Sequence, residues 1–168
     1  MGRERDDVDE ILAAWRRERP DLDAAPLEVL SRVSRLARRL DLARGTAFSA
    51  QGLQGWAFDV LSALRRAGQP YQLSPGRLLQ QTLVTSGTMT NRIDRLERRG
   101  FVERRPDPSD RRGVHVRLTE AGREVVDRAL AELIAQERTM LADLSAADRQ
   151  TLAGLLRRLL VPLEVGEP

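Results

Sequence analysis

Residues 83–122 read LVTSGTMTNRIDRLERRGFVERRPDPSDRRGVHVRLTEAG and join a short helix, an arginine-laden turn and a returning strand in one continuous unit. Met89, Ile93 and Leu96 recur at helical spacing and are expected to face a core. Thr85, Ser86, Thr88, Thr90 and Asn91 line the start of the same helix with short hydrogen-bonding side chains, and Ser86 or Thr85 is its expected cap. Gly100 stops the helix, and Phe101-Val102 opens a strand. The run Pro106-Asp107-Pro108-Ser109-Asp110 makes a turn, after which Val114, Val116 and Leu118 alternate as the return strand. The product is a helix followed by a β-hairpin with Arg111 and Arg112 at its tip. That is the plan of a winged helix-turn-helix, in which a helix enters the DNA major groove with a basic hairpin beside it.

Charge agrees locally rather than globally. All 28 basic residues are arginine, and the formal net charge of the chain is only +3. From Arg77 to Arg117, however, ten arginines stand against five acids, a concentration of positive charge suited to phosphate contact.

Outward from this unit the chain reads as mostly helical. Val8 to Arg19 is expected to form a helix with Ile11, Leu12 and Trp15 on one face, closed by Pro20. A second helix starts near Pro26, carries Leu27, Leu30, Val33, Leu36 and Leu40, and ends near Arg44-Gly45. Ser49 is the expected cap of a third helix holding Leu53, Trp56, Val60, Leu61 and Leu64, with Trp56 assigned to the core. Ser74-Pro75 opens a fourth short helix through Gln81. After the hairpin, Thr119 starts a long helix bearing Val125, Val126, Ala129, Leu130, Leu133 and Ile134. A last helix runs from Ser145, which forms an acidic capping box with Asp148, through Leu160. At both ends of the chain the helices carry more apolar surface than a small winged unit covers, so pairing with a second copy is expected.

The same residues exclude other chemistries. Cysteine is absent, which removes disulfides, thiolate nucleophiles and thiol switches, and a reducing, cytoplasmic setting is expected. No apolar run approaches a membrane span, and the first residues, MGRERDDVDE, are charged. The one histidine, His115, has no cysteine or acidic triad partner near it in sequence, so no metal site or nucleophile–base pair is expected. Gly76, Gly87, Gly100 and Gly113 are isolated and form no phosphate-binding loop. No cofactor and no enzymatic activity are expected.

Several of these motifs occur together in one family. The Ser-Gly-x-Met-Thr-x-Arg helix from Ser86, the Gly100-Phe101-Val102 hinge, the Asp107-Pro108-x-Asp110-Arg111-Arg112 wing and the Leu118-Thr119-x-x-Gly122 helix start closely resemble the MarR family of bacterial transcription regulators. The resemblance covers essentially the whole chain. It implies one domain over 1–168, mostly α with a small β-hairpin wing, in which 49–118 form the DNA-binding unit and 8–44 and 119–163 the dimerisation helices. It further implies a homodimer on a pseudopalindromic double-stranded operator, usually acting as a repressor that a small ligand releases. Ser86, Thr88, Thr90, Asn91 and Arg95 are then the expected major-groove residues. Arg111, with Arg112 beside it, is expected at the minor groove, where arginine suits the negative potential of a narrow groove. Asp110 would orient Arg111.

A finer resemblance concerns Trp15, Asp59, Arg92 and Arg104, together with the Arg19-Pro20-Asp21-Leu22-Asp23 segment. It is to the urate-responsive, purine-sensing branch of the family, and it implies that these four residues bind a flat anionic ring. The chemistry is coherent: guanidinium groups pair with ring oxygens, a carboxylate accepts ring N–H groups, and an indole packs on the ring. Urate, xanthine or hypoxanthine are the implied ligands, with another carboxylate or phenolic anion, or a ligand-insensitive DNA-binding protein, as the alternatives. In the free protein Asp59 is expected to pair with an arginine that an entering anion would displace.

Overall fold

A computed structural model describes residues 5–82, 85–106 and 113–164. These residues form seven α-helices and one three-stranded antiparallel sheet, the expected mostly helical class with a small β-hairpin. The chain divides into two compact units, the first ending at Thr46 and the second starting at Ala47.

In the first unit α1 (Asp7–Glu18) is started by a capping box made of two aspartates. The Asp6 carboxylate accepts from the Val8 and Asp9 amides, and the Asp9 carboxylate accepts from the Asp6 amide. Arg32 on α2 (Ala25–Ser49) donates to both Asp6 oxygens at 2.8 and 3.0 Å and to Asp9 at 3.0 Å, while Arg35 reaches Asp7 at 2.9 Å. Arg32 thus binds the very carboxylates that cap α1. The buried residues of α1 are Val8 and Leu12. Ile11 and Trp15, expected on the same inner face, are exposed, Trp15 by 49%.

The second helix does not end at Arg44-Gly45 but continues to Ser49. A glycine inside a helix costs about 1 kcal/mol relative to alanine, which burying an aromatic side chain, worth about 1.5–3 kcal/mol, outweighs. Phe48, 4% exposed and stacked on Phe58 at 4.1 Å, supplies that burial in the last turn. Ser49 therefore closes α2 and does not cap the third helix. That helix, α3 (Gly55–Arg66), is preceded by Gln54, whose side chain makes no cap bond to the helix backbone.

The core of the second unit is built around α3, where Ala57, Val60, Leu61, Ala63 and Leu64 are all essentially inaccessible. Leu78 of α4 (Pro75–Thr82) and Met89, Ile93 and Leu96 of α5 (Ser86–Arg98) join it, as do Val125, Val126, Ala129 and Leu133 of α6 (Glu120–Met140). The sheet contributes Val102 from β2 (Val102–Pro106), and Val116 and Leu118 from β3 (Val114–Leu118). A strand that periodicity does not reveal, β1 (Gln72–Leu73), pairs with the other side of β3 through Gln72↔Arg117 and Leu73↔Val116. In the β2–β3 hairpin, Arg104 lies opposite Val116 and Val102 opposite Leu118. Arg104 consequently stands on the side of the sheet that faces the core.

Two turns fix the hairpin against the helices around it. Gly100, at φ +72°, ends α5 in the left-handed region, and the Phe101 amide then bonds the Leu96 carbonyl at 3.0 Å. Thr119 caps α6 by accepting from the Gly122 amide at 3.0 Å, and its hydroxyl donates to the Gly100 carbonyl at 2.7 Å. The last helix, α7 (Ala146–Glu164), is preceded by Ser145, whose hydroxyl accepts from the Asp148 amide at 3.1 Å as expected. The return bond to the Asp148 carboxylate, at 2.6 Å, comes from that same hydroxyl and not from the Ser145 backbone amide of a full capping box, and the helix runs past Leu160 through Pro162. None of its described side chains is buried. Among the described residues no helix is long and apolar enough to cross a membrane.

Candidate nucleic-acid interface and ligand residues

The helix α5 has two chemically distinct faces. Met89, Ile93 and Leu96 are buried, whereas Ser86, Thr88, Thr90, Asn91 and Arg95 are exposed. Thr85, the cap, accepts from the Thr88 amide at 3.4 Å, and its hydroxyl shares a 2.9 Å hydrogen bond with that of Thr88. The Thr90 hydroxyl donates to the Ser86 carbonyl at 3.1 Å. Both threonine oxygens keep acceptor capacity, while Asn91 and Arg95 carry the freer donors. Short side chains at the amino end and arginine further along suit a helix whose first turns approach base edges. Arg111, Arg112 and Asp110, expected at the wing tip, lie outside the described residues.

The four residues assigned to an anion are placed as follows. Asp59 is exposed on α3, and Arg92 is half-buried on α5 with its guanidinium carbon 5.8 Å from the centre of the Trp56 ring. Arg104 is held by α5: its guanidinium binds both Asp94 and Glu97, and its backbone amide donates to Glu97 at 3.0 Å. The bond to Asp94, reinforced by Glu97, raises the Arg104 guanidinium further above its ordinary range. Within the first unit, Trp15 lines an apolar hollow of about 220 Å³ with Leu22, Ala24, Leu27, Asp23 and Arg19. Arg19 there forms a two-pronged pair with Asp21 at 2.7 and 2.8 Å, so the Arg19–Asp23 segment folds back on itself through its own charges.

Three residues central to this surface are not singled out by spacing in the sequence. Asp94 and Glu97, three apart on α5, form the acidic receptor for Arg104. Trp56, assigned to the core, packs against it with only part of its ring. The rest of the ring floors a hollow of about 180 Å³ lined by Thr88, Asn91, Arg92 and Arg95. No group of three or more metal-ligating side chains gathers among the described residues.

Comparison with known proteins agrees with this geometry. The sequence pattern described as the MarR family matches residues 51–113. The transcriptional regulator PecS of Dickeya dadantii is 38% identical over 152 residues, spanning 90% of this chain and 92% of PecS. A mutant MarR from Escherichia coli, solved in complex with operator DNA, superposes with a TM-score of 0.66 at 30% identity over 81% of this chain and 94% of that one. BpsR of Bordetella bronchiseptica, solved in work on the regulation of its DNA binding by 6-hydroxynicotinic acid, gives 0.65 at 27% identity over 79% and 93%. The chain therefore belongs to the MarR family and is a DNA-binding transcriptional regulator, not an enzyme.

Proposed function

We propose that the protein is a ligand-released repressor that binds a pseudopalindromic operator as a homodimer, with α5 in the major groove. The observation that carries this is the division of α5 into a buried Met89–Ile93–Leu96 face and an exposed face of Ser86, Thr90, Asn91 and Arg95. The operator-bound MarR relative supports the same use of the fold. Arg111 and Arg112 then contact the minor groove and its phosphates. Pairing is supported by the apolar residues left exposed on α7, among them Leu155, Leu159, Leu160 and Val161, and on α2, among them Leu30 and Val33. A second copy covers such surface most economically.

The releasing ligand is read as a small planar anion, urate or a related purine first, bound through Trp15, Asp59, Arg92 and Arg104. Arg92 belongs to the reading helix and Arg104 to the first wing strand, so an anion that engages either shifts the elements that touch DNA. A ten- or hundredfold loss of operator affinity requires the ligand to prefer the released state by only about 1.4–2.8 kcal/mol. An aromatic carboxylate is the second reading, supported by the 6-hydroxynicotinic acid response of BpsR. The deciding experiment is operator binding at fixed salt, with and without urate, xanthine, hypoxanthine and 6-hydroxynicotinate. Release by a purine upholds the first reading, and release by the carboxylate alone replaces it with the second. Indifference to all four removes the ligand-released part.

A further inference from the structure

Two guanidinium groups of the reading helix converge on one indole. The guanidinium carbon of Arg95 lies 5.2 Å and that of Arg92 5.8 Å from the centre of the Trp56 ring. Both distances are within the range in which a cation is attracted to the negative face of an aromatic ring. The indole is itself fixed, because its N–H donates to the Gln54 side chain just before α3 and its inner part packs against the core. Trp56 is thus a rigid platform on a core helix, and the side chains resting on it belong to a different helix.

Arginine is costly to order. Its long side chain loses much rotamer freedom when it is ordered, and an arginine fixed in place beforehand does not lose that freedom again on binding. A contact with the ring face does not use up the guanidinium N–H groups, so an arginine over a ring can still donate to a base or phosphate. Arg95 is exposed and forms no ion pair among the described residues, and its cation–π contact with Trp56 is the restraint placed on it. Asn91 and Thr88 line the same hollow, so the ring adjoins the residues read as the DNA-contacting face.

We propose that Trp56 is a positioning residue for operator recognition: it touches no DNA itself and acts by holding Arg95 in a reading pose, with Arg92 sharing the ring. This rests on the reading of α5 as the DNA-contacting helix. Losing the platform is then expected to lower operator affinity about three- to tenfold, with all of the loss expressed through Arg95.

The test is a double-mutant cycle on a duplex selected from random-sequence DNA by the unmodified protein. Affinities are measured at one low salt concentration for Trp56→Leu and Trp56→Phe, each alone and with Arg95→Ala. The expected result is a three- to tenfold loss for Trp56→Leu, partial retention by Trp56→Phe, and less than twofold further loss when either is added to Arg95→Ala. Should the leucine variant fail to fold, the phenylalanine cycle decides: a loss of about twofold that vanishes in the Arg95→Ala background supports the proposal. Equal losses in both backgrounds overturn it by making Trp56 a packing residue. Unchanged affinity in Trp56→Leu and Trp56→Phe, beside a clear loss in Arg95→Ala, overturns it and leaves the α5 reading standing. An Arg95→Ala variant that binds like the unmodified protein removes the α5 reading and this inference together.

Discussion

Arg104 on β2 is bound by Asp94 on α5, ten residues earlier in the chain, so the hairpin and the helix that precedes it are joined by charge as well as by the Gly100 turn. Glu97 completes the arrangement by accepting from both the side chain and the backbone amide of Arg104. A guanidinium facing two carboxylates makes charge-assisted hydrogen bonds. Its members remain partly exposed, and pairs of that kind contribute about 0–1 kcal/mol each to folding. Its larger effect is geometric, since it ties β2 to α5, the two elements proposed to contact one duplex.

Replacing Arg104 by alanine is therefore expected to lower stability by about 1 kcal/mol or less while weakening operator binding about three- to tenfold through the freed wing. Denaturant unfolding and operator titration, run on the same preparation, separate the two. A loss of affinity no larger than the stability loss would show that the wing angle is set by the hairpin alone.

The ligand reading makes its own demand on Asp59. Because Asp59 is exposed on α3 and is not among the α5 or wing residues assigned to DNA, Asp59→Asn is expected to leave operator affinity within about twofold and to reduce the purine response at least tenfold. Operator titration across a urate series reads both quantities. A full response in the variant would take Asp59 out of the site.

What the sequence discloses divides along lines of locality. The alternation of Met89, Ile93 and Leu96 with exposed polar residues, the Gly100 stop, the Thr119 cap and the Ser145 cap on the Asp148 amide are decided within a few residues of chain, and each is found as expected. The two residues of β1 have no period of their own and exist because β3 offers Val116 and Arg117 as partners. The extension of α2 past Gly45 depends on where Phe48 finds its burial, which is a tertiary fact. Trp56 reads as a core residue because its neighbours are apolar, yet only contact with α5 shows that its ring also meets the guanidinium groups of Arg92 and Arg95. Likewise Arg104 announces itself as a cation, while its partners Asp94 and Glu97 become visible only once β2 is laid against α5.

The wing tip supplies a prediction that the family resemblance carries. Arg111→Ala is expected to weaken operator binding about tenfold and to reduce the salt dependence of log affinity by about one ion, with the ligand response unaltered. Operator titration at several salt concentrations measures both. An unchanged salt slope would mean that Arg111 does not meet phosphate or the minor groove.

Gly122 offers a sharper structural test, because a methyl group there has nowhere to go. A Cβ at that position would stand 2.0 Å from the Phe101 carbonyl oxygen and 3.0 Å from a Leu118 methyl. The obstruction is backbone, held in place by the Thr119 amide, which donates to the same Phe101 carbonyl at 3.1 Å. The close approach therefore accounts for glycine at the start of α6. Gly122→Ala is expected to destabilise the fold by about 3 kcal/mol, the upper part of the usual range for overpacking. Thermal and denaturant unfolding would show it, and a loss below about 1 kcal/mol would mean that α6 can slide away from the wing root at little cost.

The acidic cap of α1 gives the last prediction, in pH. The Asp6 carboxyl is held below the ordinary aspartate range, chiefly by its hydrogen bonds from Arg32 and further by the Val8 and Asp9 amides. A carboxylate with a depressed folded-state pKa contributes stability that is fully present above its unfolded value, about 3.9, and that is lost as pH falls through the folded value. The attachment of α1 to α2 is thus expected to be constant through neutral and mildly acidic pH and to loosen only below about pH 4. Amide hydrogen exchange in the first turn of α1 reads this directly. In Arg32→Ala the midpoint of that loosening should move up toward the ordinary aspartate value, because the group that depresses the pKa is gone. A midpoint unmoved by the substitution would assign the effect to the backbone amides alone.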